Sequence, residues 1–487
     1  MGAAVMTTTR WTIQDLLEGC QGTLEGCVSQ ESACAGFSID TRSLRVNDLF
    51  FALSGPNSDG HHFVSDALKK GCRGAVVSRT AFEAQKNEWL TYQTTHFFIC
   101  VAEPLQALQT LAKWHRKRFK LPLVGITGSN GKTTAKEMTA SILGKRGPVL
   151  KTEGNFNNHI GLPLTLLRLS DEHQSAVIEM GISHFGEMAT LCDIAQPTMG
   201  LITNIGPAHL EGLENLKGVA REKGLLFEGL QKTGTCIINQ DDPFLKDWTD
   251  RVATQWTYGL HTETEPYDFS ADHIISERET TTFTLHLHRS GESAHVTLPT
   301  PGRHHVSNAL GAASIAAALG IPMEQIAEGL SGFQPLSQRT QILKTKGITL
   351  IFDAYNANPA SVEAALDLLA EHPQSTGKRI ALLGDMFQLG DTSEEAHHTI
   401  GLSVASHGID ALIALGQYAE ILASGARAGG LAENAISVHS DFSHLHTTLH
   451  EELQAGDILL IKGSRGMKLE RVLPLLGLHE TGLGGQI

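Results

Sequence analysis

The stretch Leu121–Thr134, LPLVGITGSNGKTT, decides how the rest of the chain is read. Its apolar run, Leu121 to Ile126, has the length and bounds of a buried strand. A loop holding Gly128 and Gly131 follows, then Lys132, Thr133 and Thr134, and then a helix-forming segment from Ala135 to Gly144. Glycines at a strand-to-helix junction let backbone N–H groups approach phosphate oxygens, and the helix N-terminus adds partial positive charge. Lys132 is placed to reach the β- and γ-phosphates, and the Thr133 hydroxyl to bind Mg2+. The expected nucleotide cradle is Gly128, Ser129, Asn130, Gly131, Lys132, Thr133 and Thr134. The usual pattern asks for glycine where this chain has Ile126, so a glycine-rich turn ahead of a buried helix is the alternative.

Composition narrows the classes. A chain of 487 residues suggests about three domains. A net charge of −14 argues against general binding to nucleic acid or an anionic membrane, since both need a basic surface. An anionic ligand must then be held by a local cluster of cations, backbone N–H groups or metal. Seven cysteines, an odd count with no CxxC pair, fit reduced thiols in a cytoplasm. No apolar run reaches membrane-spanning length, and MGAAVMTTTR lacks an apolar signal core. The expectation is a cytoplasmic protein without membrane insertion, working as a monomer.

Strands and helices alternate over most of the chain, which predicts an α/β fold with mainly parallel sheets. Leu123 to Thr127, Ala176 to Met180, Met199 to Thr203 and Thr235 to Asn239 read as strands of a central domain. Ligands of such sheets bind beyond the strands' carboxyl ends. Glu179 emerges there from AVIEMG, and His209 follows LITNIG. A carboxylate at that position suits Mg2+, although a charged residue at a strand end is also common. Thr281 to His288 and Ala294 to Leu298 alternate around Ser290-Gly291 as a hairpin, expected to form a small antiparallel side sheet. FQPLSQRT near residue 335 reads as a linker. A second strand–helix series follows, with DAYNANPASVEAAL, GDMFQLGD and IKGSRGMKLE at its strand ends.

GITGSNGKTT resembles the ATP loop of the Mur ligases and of the related folylpolyglutamate synthases. DTRSL, DLFFAL and DGHHF resemble the Mur-ligase N-terminal domain, with Val46-Asn47-Asp48 where the family usually has Pro-Gly-Asp. TEGNFNNHIGLPLTLL is most similar to the member that adds D-alanyl-D-alanine. The resemblance implies three units: 1–118 holding a UDP-muramoyl substrate, 119–335 binding ATP, and 336–487, Rossmann-like, at the nucleotide edge and the dipeptide. It implies Arg42 as a contact to an anionic or uracil group. Asn155, Asn157, Asn158 and His159 are implied to face the peptide. Thr133 and Glu179 are implied at the metal near ATP, and His209 at a second Mg2+. Lys223 is implied to carry a carbamate that binds Mg2+. Asn308 is implied on the adenine side, Arg339 as a hinge arginine reaching ATP phosphates, and Asp353 and Asn356 near the nucleotide. No role is implied for His305, where the family often has Asn. Lys462, Ser464 and Arg465 form a basic cluster that could bind a carboxylate or cap a helix.

The implied reaction is ATP-dependent amide formation between UDP-N-acetylmuramoyl-tripeptide and D-alanyl-D-alanine, through an acyl phosphate, with Lys132, Glu179, His209, Lys223 and Arg339 at the chemistry. Three alternatives remain at this point: a single-amino-acid Mur ligase, a folylpolyglutamate synthase, or a nucleotide-responsive binding protein. The last would have no need of Glu179, His209 and Lys223 together.

Overall fold

The computed structural model describes residues 11–26, 34–92, 96–230, 234–246, 248, 254–260, 267–373 and 377–478. The amino-terminal stretch read above for a signal core lies outside them. Three sheets organise the described chain, one of five strands, one of nine and one of six.

The nine-stranded sheet positions the site. All five residues of the strands Leu123–Thr127 and Ser175–Glu179 are buried, as expected where helices cover both faces of a parallel sheet. Ile126 pairs with Glu179 and Thr127 with Ile202, so three strand ends lie side by side. Gly131, in a left-handed conformation (φ 78°), caps the helix Lys132–Leu143. The helix therefore begins at Lys132, three residues before the point suggested by the propensities of Lys-Thr-Thr. The glycine turn fixes its start. An Ala-rich helix runs from His304 to Ala318.

The hairpin expectation needs correction. Thr281–Leu287 and Glu292–Leu298 do pair antiparallel. They extend the central sheet, however, through Phe269–Ser276, which meets Thr254–Tyr258 in parallel at Tyr258 and Phe269. Phe269, Phe283, Leu285 and Val296 are buried in the same core as Ile126 and the Ala-rich helix, and this shared core keeps the strands in one sheet.

The first unit carries the five-stranded sheet, parallel except for its edge strand Thr23–Gly26. Its last helix, Pro104–Arg116, buries Leu108, Leu111, Ala112 and His115 along one face. That face joins the two units: Trp11, Leu16 and Leu111 share a core with Leu166, Leu169 and Leu191. Arg116 Nε donates to the Ala195 carbonyl (3.1 Å), and His115 Nε2 to the Leu169 carbonyl (3.0 Å). Residue 118 thus marks a change of sheet with no break in the core.

The last unit has a six-stranded sheet with separate cores on its two faces. Its contacts with the middle unit include polar ones, among them Lys344–Glu279 and Asn358–Asn130. The connecting segment has Gln338 (φ 61°) and Thr340 (φ 51°) in left-handed conformations on either side of Arg339. Such strain in non-glycine residues is held only where surrounding structure demands it.

Burial pulls the His115 imidazole down to about 4, with Leu169 opposing and Arg118 adding to the fall. The unfolded chain titrates this group near the ordinary histidine value, so acid favours unfolding. The stabilisation is complete above about pH 6.5 and is lost as pH falls toward about 4. Between about pH 7 and pH 5 the His115 share is about 2 kcal/mol. Urea unfolding of the native chain and of His115→Gln at both pH values should show that much less acid sensitivity in the variant.

Candidate active site

A cavity of about 630 Å3 opens between the middle and last units. The first turn of the helix Lys132–Leu143 forms one wall, and the segment after the strand Ile348–Asp353 forms the opposite one. No side chain caps that first turn. Its N–H groups lack helical partners by geometry and present a site for anionic oxygens.

The loop before it is held from behind. Ser129 N donates to the Asn204 carbonyl (3.0 Å) and Asn130 N to Asn204 Oδ1 (2.9 Å). These two amides, expected to cradle phosphate, are committed to the protein. The donor set narrows to Gly131 and the helix's own first turn. Lys132 Nζ lies over Gly128 O (2.7 Å) and Ser129 O (3.3 Å). Burial lowers the Lys132 ammonium, with Glu179 opposing and Arg339 adding. Gly128 (φ 149°) and Gly131 have backbone conformations that side chains avoid, and a Cβ would collide with Thr203 Oγ1 or Asn308 Oδ1.

Glu179 is 2% exposed. Its Oε1 accepts from Asn157 Nδ2 (2.8 Å), while Oε2 is buried without a hydrogen-bond partner. Burial alone would raise this carboxyl. Lys136, Arg339, Lys132 and the Asn157 bond outweigh it, and the net shift is downward. Lys136 is buried, 4.0 Å from Glu179 Oε2, and donates to the Thr152 carbonyl (2.7 Å). Thr152 Oγ1 in turn accepts from Glu179 N (2.9 Å). The result is a carboxylate that lines the cavity and has one oxygen free of hydrogen bonds.

His209 and Thr133 also line the cavity. Burial, with Lys132 and Lys223 adding, takes the His209 imidazole down to about 4, which keeps it neutral at neutral pH. Lys223 is 1% exposed and is not part of the cavity wall. Burial, then Lys132, push its ammonium well down, against a smaller opposing effect of Glu222. Among the described residues no three His, Cys, Asp or Glu side chains converge as a ready metal cage. The Glu179 carboxylate and the Thr133 hydroxyl nevertheless fit hard divalent cations whose shell is completed by ligand oxygens, and a neutral His209 adds a nitrogen donor.

The expected residues divide. Ser129 to Thr134, Asn157, Asn158 and His159 line the cavity, as do Asn308, Arg339, Asp353 and Asn356. Arg339 stacks on the Tyr355 ring at 4.0 Å. Both Asp353 oxygens are engaged, with Lys462 Nζ (2.6 Å) and Thr340 N (3.3 Å), so Asp353 anchors the connecting segment. Asn155 is exposed and off the cavity wall. Arg42 is also outside the cavity, with its side chain 88% exposed and paired with Asp40 at 2.6 Å.

Several cavity-shaping residues carry no readable sequence signal. Lys136 is one lysine in an ordinary helix. Asn204 and Gln388 acquire their roles from packing. Asn130 and Asn358 exchange amide hydrogen bonds across the cavity (3.2 and 2.8 Å), which ties the nucleotide loop to the N-cap of the helix Pro359–Glu371.

Comparison with known proteins places this geometry. Residues 126–316 match the Mur ligase middle domain, and residues 338–465 the Mur ligase glutamate ligase domain. The chain is 35% identical to the UDP-N-acetylmuramoyl-tripeptide--D-alanyl-D-alanine ligase of Bacillus subtilis, over 95% of this chain and 97% of that one. The enzyme of the same name in Escherichia coli is 34% identical, over 96% and 98%. The fold resembles MurF from Acinetobacter baumannii, with a TM-score of 0.85 at 30% identity, covering 96% of this chain and 99% of that one. It also resembles the Thermotoga maritima MurF ligase in complex with ADP, with a TM-score of 0.77 at 26% identity, covering 91% and 96%.

Gly131→Ala should retain the fold and lose nucleotide affinity by at least about tenfold, because its Cβ meets Asn308 and strains the cap. Calorimetric titration with an ATP analogue, beside a circular dichroism spectrum, checks both halves of this expectation.

Proposed function

We propose that this chain, which belongs to the Mur ligase family, joins D-alanyl-D-alanine to UDP-N-acetylmuramoyl-tripeptide in the cytoplasm, and that ATP drives the reaction. The relatives that it matches nearly end to end are named for that reaction. The observation that carries the chemistry is the Glu179 carboxylate, which lines the same cavity as the uncapped helix start and has one oxygen without a hydrogen bond. No described helix is long and apolar enough to cross a membrane.

The route begins with a carboxylate of the tripeptide. One of its oxygens forms a bond to the γ-phosphorus as the bond to the β–γ bridging oxygen breaks, and ADP leaves with that electron pair. The dipeptide amine then bonds to the acyl carbon. The acyl C–O bond breaks, inorganic phosphate departs, and the amine surrenders a proton. The first step brings anion to anion. Two unit charges at 4 Å repel by about 4 kcal/mol at an effective dielectric near 20. Lys132 and Arg339 face that repulsion from the helix start and from the connecting segment. The helix start orients the phosphates, and Asn157, Asn158 and His159 suit the peptide.

Thr133 and Glu179 would hold one Mg2+ and His209 a second, and bound there these ions would neutralise the phosphate oxygens. Lys223 adds to this reading. A buried amine that is readily neutral can attack CO2, forming an N–C bond and losing a proton. The product is an anion beneath Lys132 and His209, where a lysine cation would be repelled. Arg42, remote from the cavity, suits the distal nucleotide end of the substrate. The chain acts as a monomer in this reading.

Phosphate release measured with UDP-N-acetylmuramoyl-tripeptide and ATP should require D-alanyl-D-alanine. Equal release with D-alanine alone would overturn the acceptor assignment. Lys223→Ala should remove a carbamate carbon signal seen by NMR after carbon-13 bicarbonate is added, and reduce turnover by at least about a hundredfold.

A further inference from the structure

The segment GDMFQLGD in the last unit has no part in the chemistry above, yet its Gln388 reaches the middle unit. Gln388 Oε1 lies 2.6 Å from His209 Nδ1. Ser183 Oγ stands 3.4 Å from the same nitrogen. An amide carbonyl oxygen only accepts, so the bond requires a hydrogen on Nδ1. In a neutral imidazole that hydrogen leaves the lone pair on Nε2.

Both residues are held in left-handed backbone conformations, His209 at φ 56° and Gln388 at φ 64°. Non-glycine residues of this kind cluster where structure is spent on function. The neighbourhood is shaped for the meeting. His209 precedes the short helix Leu210–Leu213, and a Cβ on Gly390 would touch the Glu211 backbone at 3.5 Å. Gln388 is therefore carried against His209 by a segment fitted to the helix that follows it.

We propose that Gln388 is a positioning residue: its carbonyl, delivered by the last unit, fixes His209 in the Nδ1–H tautomer and leaves Nε2 free to bind a divalent cation. The inference rests on the reading of His209 as a metal ligand. A ligating imidazole is ordinarily oriented by an acceptor on its other nitrogen. Here the acceptor and the ligand belong to different units. The metal site is complete only when the two units meet, so cation affinity and domain arrangement are coupled.

The test uses the full chain labelled with nitrogen-15 histidine. His209 signals are identified as those missing from His209→Gln. In the metal-free native protein at neutral pH, they should report a hydrogen on Nδ1. Gln388→Gly removes the acceptor and tolerates the positive φ, so the fold is retained. It should move both ring signals toward the averaged values of exchanging tautomers. Gln388→Glu keeps an acceptor and should preserve the Nδ1 hydrogen. Unchanged ring signals in Gln388→Gly would overturn the proposal. Electron paramagnetic resonance titration with Mn2+, in the presence of a non-hydrolysable ATP analogue, gives a second readout. Affinity should fall about tenfold in Gln388→Gly and recover in Gln388→Glu. A tautomer change with unaltered Mn2+ affinity would overturn the coupling. Unaltered affinity in His209→Ala would instead remove His209 from the ligand set.

Discussion

A carboxylate that leaves water must be surrounded by positive charge or lose its own. Glu179 ends an entirely buried strand and remains an anion because Lys136 and Lys132, from one helix, and Arg339, from the connecting segment, face it. The arrangement is demanding. Lys136 comes from the helix after the glycine loop, and Arg339 from the segment joining the middle and last units. A buried lysine is costly alone, and Lys136 is offset by two acids, Glu137 at 3.0 Å and Glu179 at 4.0 Å. The charge cluster thereby ties helix, strand and connecting segment into one cavity. It also leaves one carboxylate oxygen without a hydrogen bond.

The two junctions between units are built from different physics. The first unit joins the middle one through a continuous apolar core around the helix Pro104–Arg116. Separating them would expose that core to water, so the pair behaves as one body. The last unit meets the middle one through amides, ion pairs and an imidazole: Asn130 with Asn358, Lys344 with Glu279, His209 with Gln388. Water can replace such contacts at small net cost. A junction of that kind is cheaper to open than an apolar core.

Much of the fold was legible in local pattern. Apolar strands bounded by turn residues placed the four named central strands and the hairpin within one or two residues. The glycine turn before Lys132 marked one wall of the cavity. The misplacements have physical causes. The helix start at Lys132 is set by the left-handed Gly131, which propensity does not weigh. The strands after residue 269 joined the central sheet because their apolar faces share its core, a fact that alternation alone cannot report.

By itself, the sequence determined the kinds of groups available: a glycine turn with lysine and threonine, a strand-end acid, a histidine after another strand, and a lysine in a later helix. Periodicity and turn chemistry are local, so they survive in the linear text. Tertiary structure alone decided which groups meet and in what state. It buried Lys136 against Glu179, took the Ser129 and Asn130 amides out of the cradle, and set Lys223 behind the wall rather than in it. It also brought Gln388 across a domain junction to His209, 179 residues away in the chain. Charge state, tautomer and hydrogen-bond supply depend on what surrounds a group in space, and that is fixed only when distant segments pack.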